Sequence, residues 1–209
     1  MPHLTDRSMM ESVFPPAELV TLTEEQLPAE LDEVTRSLLT ATGLPSDRSS
    51  VFQIDGGLFV DERPSRFRRC AQLSYFSEYH DMPAGWEDWL VLGEIYYDGI
   101  ALDPVSGAVH CLPDGEFTAQ PLNRSLDTFL YFLYLLELER PHYDYTVSED
   151  LPDPEGVAVS LRERMQSADP LPFEGVEPVW SEEFDWDAED APRLPTWDGV
   201  LSDVYETVG

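Results

Sequence analysis

Residues 89–97 constrain the fold most. Trp89-Leu90-Val91-Leu92-Gly93-Glu94-Ile95-Tyr96-Tyr97 is apolar and aromatic over the length of a strand, and Asp98-Gly99 follows it directly. That dipeptide suits a two-residue type I′ hairpin, because both central positions need positive φ. Ile100-Ala101-Leu102 returns as a second strand. Asp103-Pro104-Val105-Ser106-Gly107 reads as a turn, with Pro where its fixed φ fits. Ala108-Val109-His110-Cys111-Leu112 reads as a third strand. The pattern predicts an antiparallel meander.

Helices are expected on either side of it. Thr23-Glu24-Glu25-Gln26 has the form of a capping box. Leu27, Leu31, Val34, Leu38 and Leu39 follow at helical spacing, and Glu24, Glu25, Glu30 and Glu33 favour the positive end of the helix dipole. Gly43 before Leu44-Pro45 supplies a stop, with Gly as a left-handed cap. The spacing predicts one helix over residues 24–41. Val51-Phe52-Gln53-Ile54 reads as a short strand ending at Asp55-Gly56-Gly57, and residues 73–76 as another. Arg63, Arg66, Arg68 and Arg69 form a basic cluster between them. Ser125 is a candidate N-cap for a second helix, apolar on most sides through Leu126, Phe129, Leu130, Phe132, Leu133 and Leu136, and ended by Pro141. Burial against the sheet is expected for it. Val157, Val159, Leu161 and Met165 suggest a third helix; Trp197, Val200, Leu201, Val204 and Tyr205 suggest a terminal one.

Charge removes several function classes. The 209 residues carry 42 Asp and Glu against 12 basic residues, all Arg, for a net charge of −30. Nucleic-acid binding through phosphate contacts needs clustered cations, so neither nucleic acid nor an anionic membrane is an expected partner. A basic protein is. Residues 149–209 alone hold 17 acids and three Arg, in a Pro-rich context. A GC-rich genome or salt adaptation would produce a similar acid excess. Hydrophobic residues at 42% suffice for a core. The first residues lack the cationic and apolar pattern of a signal peptide, and the longest apolar run, 129–136, is too short to span a bilayer. The cytoplasm is the expected location, with Cys70 and Cys111 as buried thiols.

Catalytic constellations are missing from the sequence. No phosphate-cradling glycine loop, zinc motif or nucleophile elbow occurs, and His3, His80, His110 and His142 stand singly. His110 and Cys111 are strand neighbours and should face opposite ways. His80-Asp81 reads as a surface turn. Asp185, Asp187 and Glu189 have the spacing of a calcium loop, but Asp190 and Thr196 stand where it needs Gly and a bidentate Glu. No catalytic residue, cofactor or metal is expected.

Several short motifs together resemble the SUKH superfamily, specifically its fourth subfamily of bacterial immunity proteins. They are Gly43-Leu44-Pro45, Leu92-Gly93-Glu94, Ile100-Ala101-Leu102-Asp103 with Gly107-x-Val109, Leu122-Asn123-x-Ser125-Leu126 running into Phe129-Leu130, and the late Trp197. Each also has a folding role, so they speak for a fold first. The resemblance implies an α+β domain with a bent, largely antiparallel β-sheet flanked by helices, here with an acidic Pro-rich C-terminal extension ending in a helix. It implies a single domain over 1–209, with a core at 20–148 and the acidic part, 149–209, packed on it. It also implies a non-enzymatic antitoxin that occludes a cognate polymorphic toxin domain, often a basic nuclease or nucleic-acid deaminase.

Acids interleaved with aromatic anchors are the candidate contacts, because anchors supply binding energy while charges supply orientation and on-rate. One set is Glu182, Glu183, Asp185, Trp186 and Asp187. A second is Trp86, Glu87, Asp88, Glu94 and Asp98. The alternatives are a cytosolic scaffold or regulatory protein of the same fold, and a metal-dependent hydrolase built from scattered carboxylates. Oligomeric state is left open.

Overall fold

A computed structural model describes residues 3–46, 51–59, 67–74, 79–80, 82–115, 118–148, 153–178, 180 and 194–207. In chain order the elements are α1 (Arg7–Glu11), β1 (Leu19–Val20), α2 (Glu33–Ser37), β2 (Leu44–Pro45), β3 (Phe52–Ile54), β4 (Leu90–Ile95), β5 (Asp98–Leu102), β6 (Val109–Leu112), β7 (Gln120–Asn123), α3 (Leu126–Glu139), α4 (Pro154–Ala168) and α5 (Thr196–Tyr205). Short 3-10 turns join several of them. The fold class is α+β. The main sheet is antiparallel throughout, in the order β3-β4-β5-β6-β7, and β1 pairs with β2 apart from it. The chain divides into two compact units, Met1–Tyr134 and Leu135–Gly209, with the boundary inside α3.

The meander is present as β4, β5 and β6, but its first turn is not where the dipeptide rule puts it. Ile95 pairs with Asp98, so the loop is Tyr96-Tyr97, and Tyr96 takes a φ of +54°. Moving a turn by two residues leaves every side chain on its original face, because the strand period is two. Apolar alternation therefore cannot choose between the two loops. Asp98 chooses. Its carboxylate is buried within the hairpin, accepts the Asp114 N–H at 3.0 Å and lies 3.7 Å from the Cys111 thiol.

The expected helix over 24–41 is broken. A 3-10 turn covers Glu24–Gln26, and the Thr23 N–H donates to the Gln26 side chain at 2.9 Å, so the capping box survives on a shorter element. Leu27 is extended, as a residue preceding proline tends to be, and Pro28 cannot continue the turn. The helix restarts only at Glu33, where Asp32 caps it by accepting the Val34 and Thr35 N–H groups at 2.8 and 3.0 Å. A wide π turn at Leu38–Thr42 follows. Gly43 then leaves at a φ of +89° with an extended ψ, not as a left-handed cap; a Cβ there would lie 3.0 Å from the Val20 carbonyl oxygen.

One face of the sheet is closed. Phe52, Ile95, Ile100, Leu102, Val109 and Cys111 share it by register, and all are buried. The first turns of α3 cover it: the Phe129 ring meets Phe52 edge-on, with centroids 5.4 Å apart. Ser125 caps α3 as expected, its Oγ accepting the Thr128 N–H at 3.2 Å. Asp127, in the first turn, accepts the Leu4 and Thr5 N–H groups at 2.8 and 3.0 Å and so ties the chain's start to the helix.

The second unit is helical. Asp153 caps α4, with Pro154 in the first helical position. Arg162 of α4 reaches Asp198 of α5 at 3.2 Å, donates to the Val176 carbonyl at 2.7 Å and lies over the Phe173 ring. Burial pushes the Asp198 carboxyl above its ordinary pKa, against the pull of Arg162. Its Oδ2 has no hydrogen-bond partner among the described residues. Arg140 is held between Glu137 and Asp144, and Arg164 pairs with Glu139.

Candidate functional site

The other face of the sheet is closed at one end and open at the other. By register it carries Gln53 of β3, Val91 and Glu94 of β4, Gly99 and Ala101 of β5, and His110 and Leu112 of β6. A β-bulge makes this arrangement possible. Val91 pairs with Ala101 and Gly93 with Ile100, which leaves Leu92 as the extra residue. Val91 and Glu94 are three apart in sequence and would face opposite ways on a regular strand. The bulge puts them on one face. Gly93 answers the crowding beneath it: a Cβ there would lie 2.1 Å from the Gln53 carbonyl oxygen.

The closed end is built from the chain before β4. Cys70, Trp89, Val91, Ala101 and Leu112 form a buried cluster, with Leu73, Tyr79, Met82 and Trp86 packed against it. Trp89 stacks on His110, ring centroids 3.9 Å apart. Burial lowers the His110 pKa and Asp103 opposes it. Burial also pushes the Cys70 thiol up to about 12, which disfavours its thiolate. Both cysteines are buried thiols outside any disulfide among the described residues.

The open end is a shallow depression of ≈ 210 Å³ beside the β4–β5 hairpin. Its rim and floor include Gln53, Asp55, Arg68, Glu94, Tyr97 and Gly99. Asp55 holds its place through its own N–H on the Leu92 carbonyl, 2.8 Å, and accepts the Gly57 N–H at 2.7 Å. The same carboxylate takes the Arg68 guanidinium, Nε to Oδ1 at 3.1 Å and a second nitrogen on Oδ2. The two charges cancel. Glu94 is exposed, and the Tyr97 ring is 84% exposed.

The structure brings together only part of the second candidate set. Trp86–Asp88 is a 3-10 turn following Gly85 at a φ of +86°. Trp86 is half-buried on the closed end, and Glu87 is exposed. Asp88 pairs with Arg69 at 3.1 Å, and Arg69 also reaches Glu30 at 2.9 Å; exposed pairs like these add little stability. Glu94 lies in the depression. Asp98 corrects the sequence reading: it pairs with Ile95 on the closed face, is 5% exposed and offers no contact surface. The first set, Glu182, Glu183, Asp185, Trp186 and Asp187, lies outside the described residues, as do Arg63, Arg66 and the possible strand beyond Ser74. Leu73 itself is not in a strand.

Sequence reasoning missed Tyr97 and Gln53. Tyr97 reads as a strand residue when the turn is placed at Asp98-Gly99, so its position at a hairpin tip is hidden. Gln53 is ordinary on a short strand, and only the pairing with Glu94 gives it a place. Among the described residues, no group of three or more His, Cys, Asp or Glu side chains is placed to hold a metal ion. No helix of the described residues is long and apolar enough to cross a membrane.

Comparison with known proteins gives one match. The family model described as SUKH-4 immunity protein matches residues 5–186. No curated protein and no solved structure matches the chain.

Proposed function

The chain belongs to the SUKH-4 immunity protein family, and on that premise we propose that it neutralises a cognate toxin domain by binding and covering it. The net charge of −30 carries this reading furthest. A toxin that acts on nucleic acid as a nuclease or deaminase needs a cationic groove for the phosphate backbone. An acidic protein is steered towards such a groove by the long-range field and can fill it. The partner is therefore a basic effector domain, met in the cytoplasm, and neither nucleic acid nor membrane competes for the same surface. The protein does no chemistry of its own. Its contacts come from Trp86, Glu87 and Glu94 around the sheet's second face and from the acid–aromatic run Glu182, Glu183, Asp185, Trp186 and Asp187.

The test is co-expression and pull-down with the domain encoded by the adjoining open reading frame. Co-expression should rescue growth, and the isolated pair should bind with an association rate that falls steeply as salt rises. Absence of both binding and rescue would remove the immunity reading.

A further inference from the structure

Two side chains in the depression stand apart from their neighbours. Glu94 makes no hydrogen bond or ion pair among the described residues, whereas its acidic neighbour Asp55 is matched by Arg68. Tyr97 stands at the hairpin tip with 84% of its surface exposed and no aromatic partner among the described residues. Among the described residues, neither the exposed aromatic nor the carboxylate adds a side-chain hydrogen bond, ion pair or ring contact to the fold. The chain nevertheless uses a β-bulge and a strained loop to place them. Without the bulge at Leu92, Glu94 would point at the closed face; with the loop at Asp98-Gly99, Tyr97 would lie in a strand. Opposite Glu94 in the register stands Gly99, which also lines the depression.

We propose that Glu94 and Tyr97 together receive an arginine side chain presented by the cognate toxin domain. The inference rests on the immunity reading and adds the contact that anchors it. A guanidinium fits both groups: its planar donors match a carboxylate, and its face stacks on an aromatic ring. Lysine satisfies the charge but lacks the plane. An anionic group would be repelled, because Arg68 is already committed to Asp55 and the lining as a whole keeps one net negative charge. The depression has room for one long side chain and not for a folded element, so the contact is a socket within a larger interface.

The probe is the catalytically inactivated toxin domain from the adjoining open reading frame, titrated against the full chain by calorimetry. Glu94→Arg should weaken binding about 100-fold or more, and Glu94→Gln about 10-fold. Tyr97→Ala should weaken it about 10-fold while Tyr97→Phe stays near wild type, because the ring face makes the contact. One toxin arginine, replaced by Ala, should lose affinity non-additively with Glu94→Gln in a double-mutant cycle. Thermal melts of the four variants should match wild type. If wild type binds and Glu94→Arg and Tyr97→Ala bind equally well, the socket is overturned and the immunity reading stands. If wild type itself fails to bind, both fall.

Discussion

The two faces of the main sheet use the same strands for different ends. On the face under the first turns of α3, Phe52, Ile95, Ile100 and Leu102 are completely buried, and Phe52 meets the Phe129 ring. On the opposite face the apolar cluster around Trp89 stops short, and the end of the sheet beside the hairpin presents Glu94 and Tyr97 to solvent. Residues of β4 next to each other in sequence, such as Glu94 and Ile95, thus differ completely in environment, one exposed and one packed in the core. An antiparallel sheet covered on one face and only partly on the other concentrates its apolar burial where the helix lies and leaves the remainder in contact with water.

This contrast can be broken most forcibly from the closed side. Phe129→Ala removes the ring that meets Phe52 and should cost about 3–5 kcal/mol in a denaturant titration. An effect below about 1 kcal/mol would mean that the closed face is not the stability core. Gly93→Ala tests the junction between faces. The new Cβ meets the Gln53 backbone, which cannot swing aside as a side chain can, so a loss of about 1–3 kcal/mol is expected. His110 sharpens the comparison by pH. Its pKa is lowered in the folded protein, so the unfolded chain takes up the proton first as pH falls. Stability should therefore be full above the ordinary value of 6.5 and decline as pH drops from there through the depressed folded value. His110→Gln should flatten that slope in melts run across the range. The smallest effects belong to the open end: Glu94→Gln and Tyr97→Ala should move stability by no more than about 0.5 kcal/mol, although they are the variants expected to harm binding.

Elements whose signals are local were readable in advance. The meander, the Ser125 cap, α3 and its stop near Pro141, α4 and α5 all announce themselves through strand or helix periodicity and punctuation within a few residues. The short motifs carry the resemblance to the fourth SUKH subfamily, which in turn implied the α+β class; the family match bears the resemblance out and the fold has that class. The first helix failed for an equally local reason that apolar spacing overrode: Leu27-Pro28 interrupts a pattern whose leucines continue in register on either side. The candidate site was legible only in part. Glu94, expected as a contact, is exposed beside the hairpin, whereas Asp98, expected next to it, is buried because the chain turns two residues earlier.

What the amino-acid order determined alone is the meander, the helices α3, α4 and α5, the excess of negative charge and the apolar stock that closes one face of the sheet. Which side of the sheet Glu94 occupies was decided in three dimensions. It depends on one unpaired residue, Leu92, whose insertion inverts the alternation of everything after it on β4. The hairpin tip depends likewise on a buried hydrogen bond from the Asp114 N–H to Asp98, sixteen residues away in the chain. Both choices preserve local propensity and differ only in long-range partners, and a periodic pattern carries no information about those.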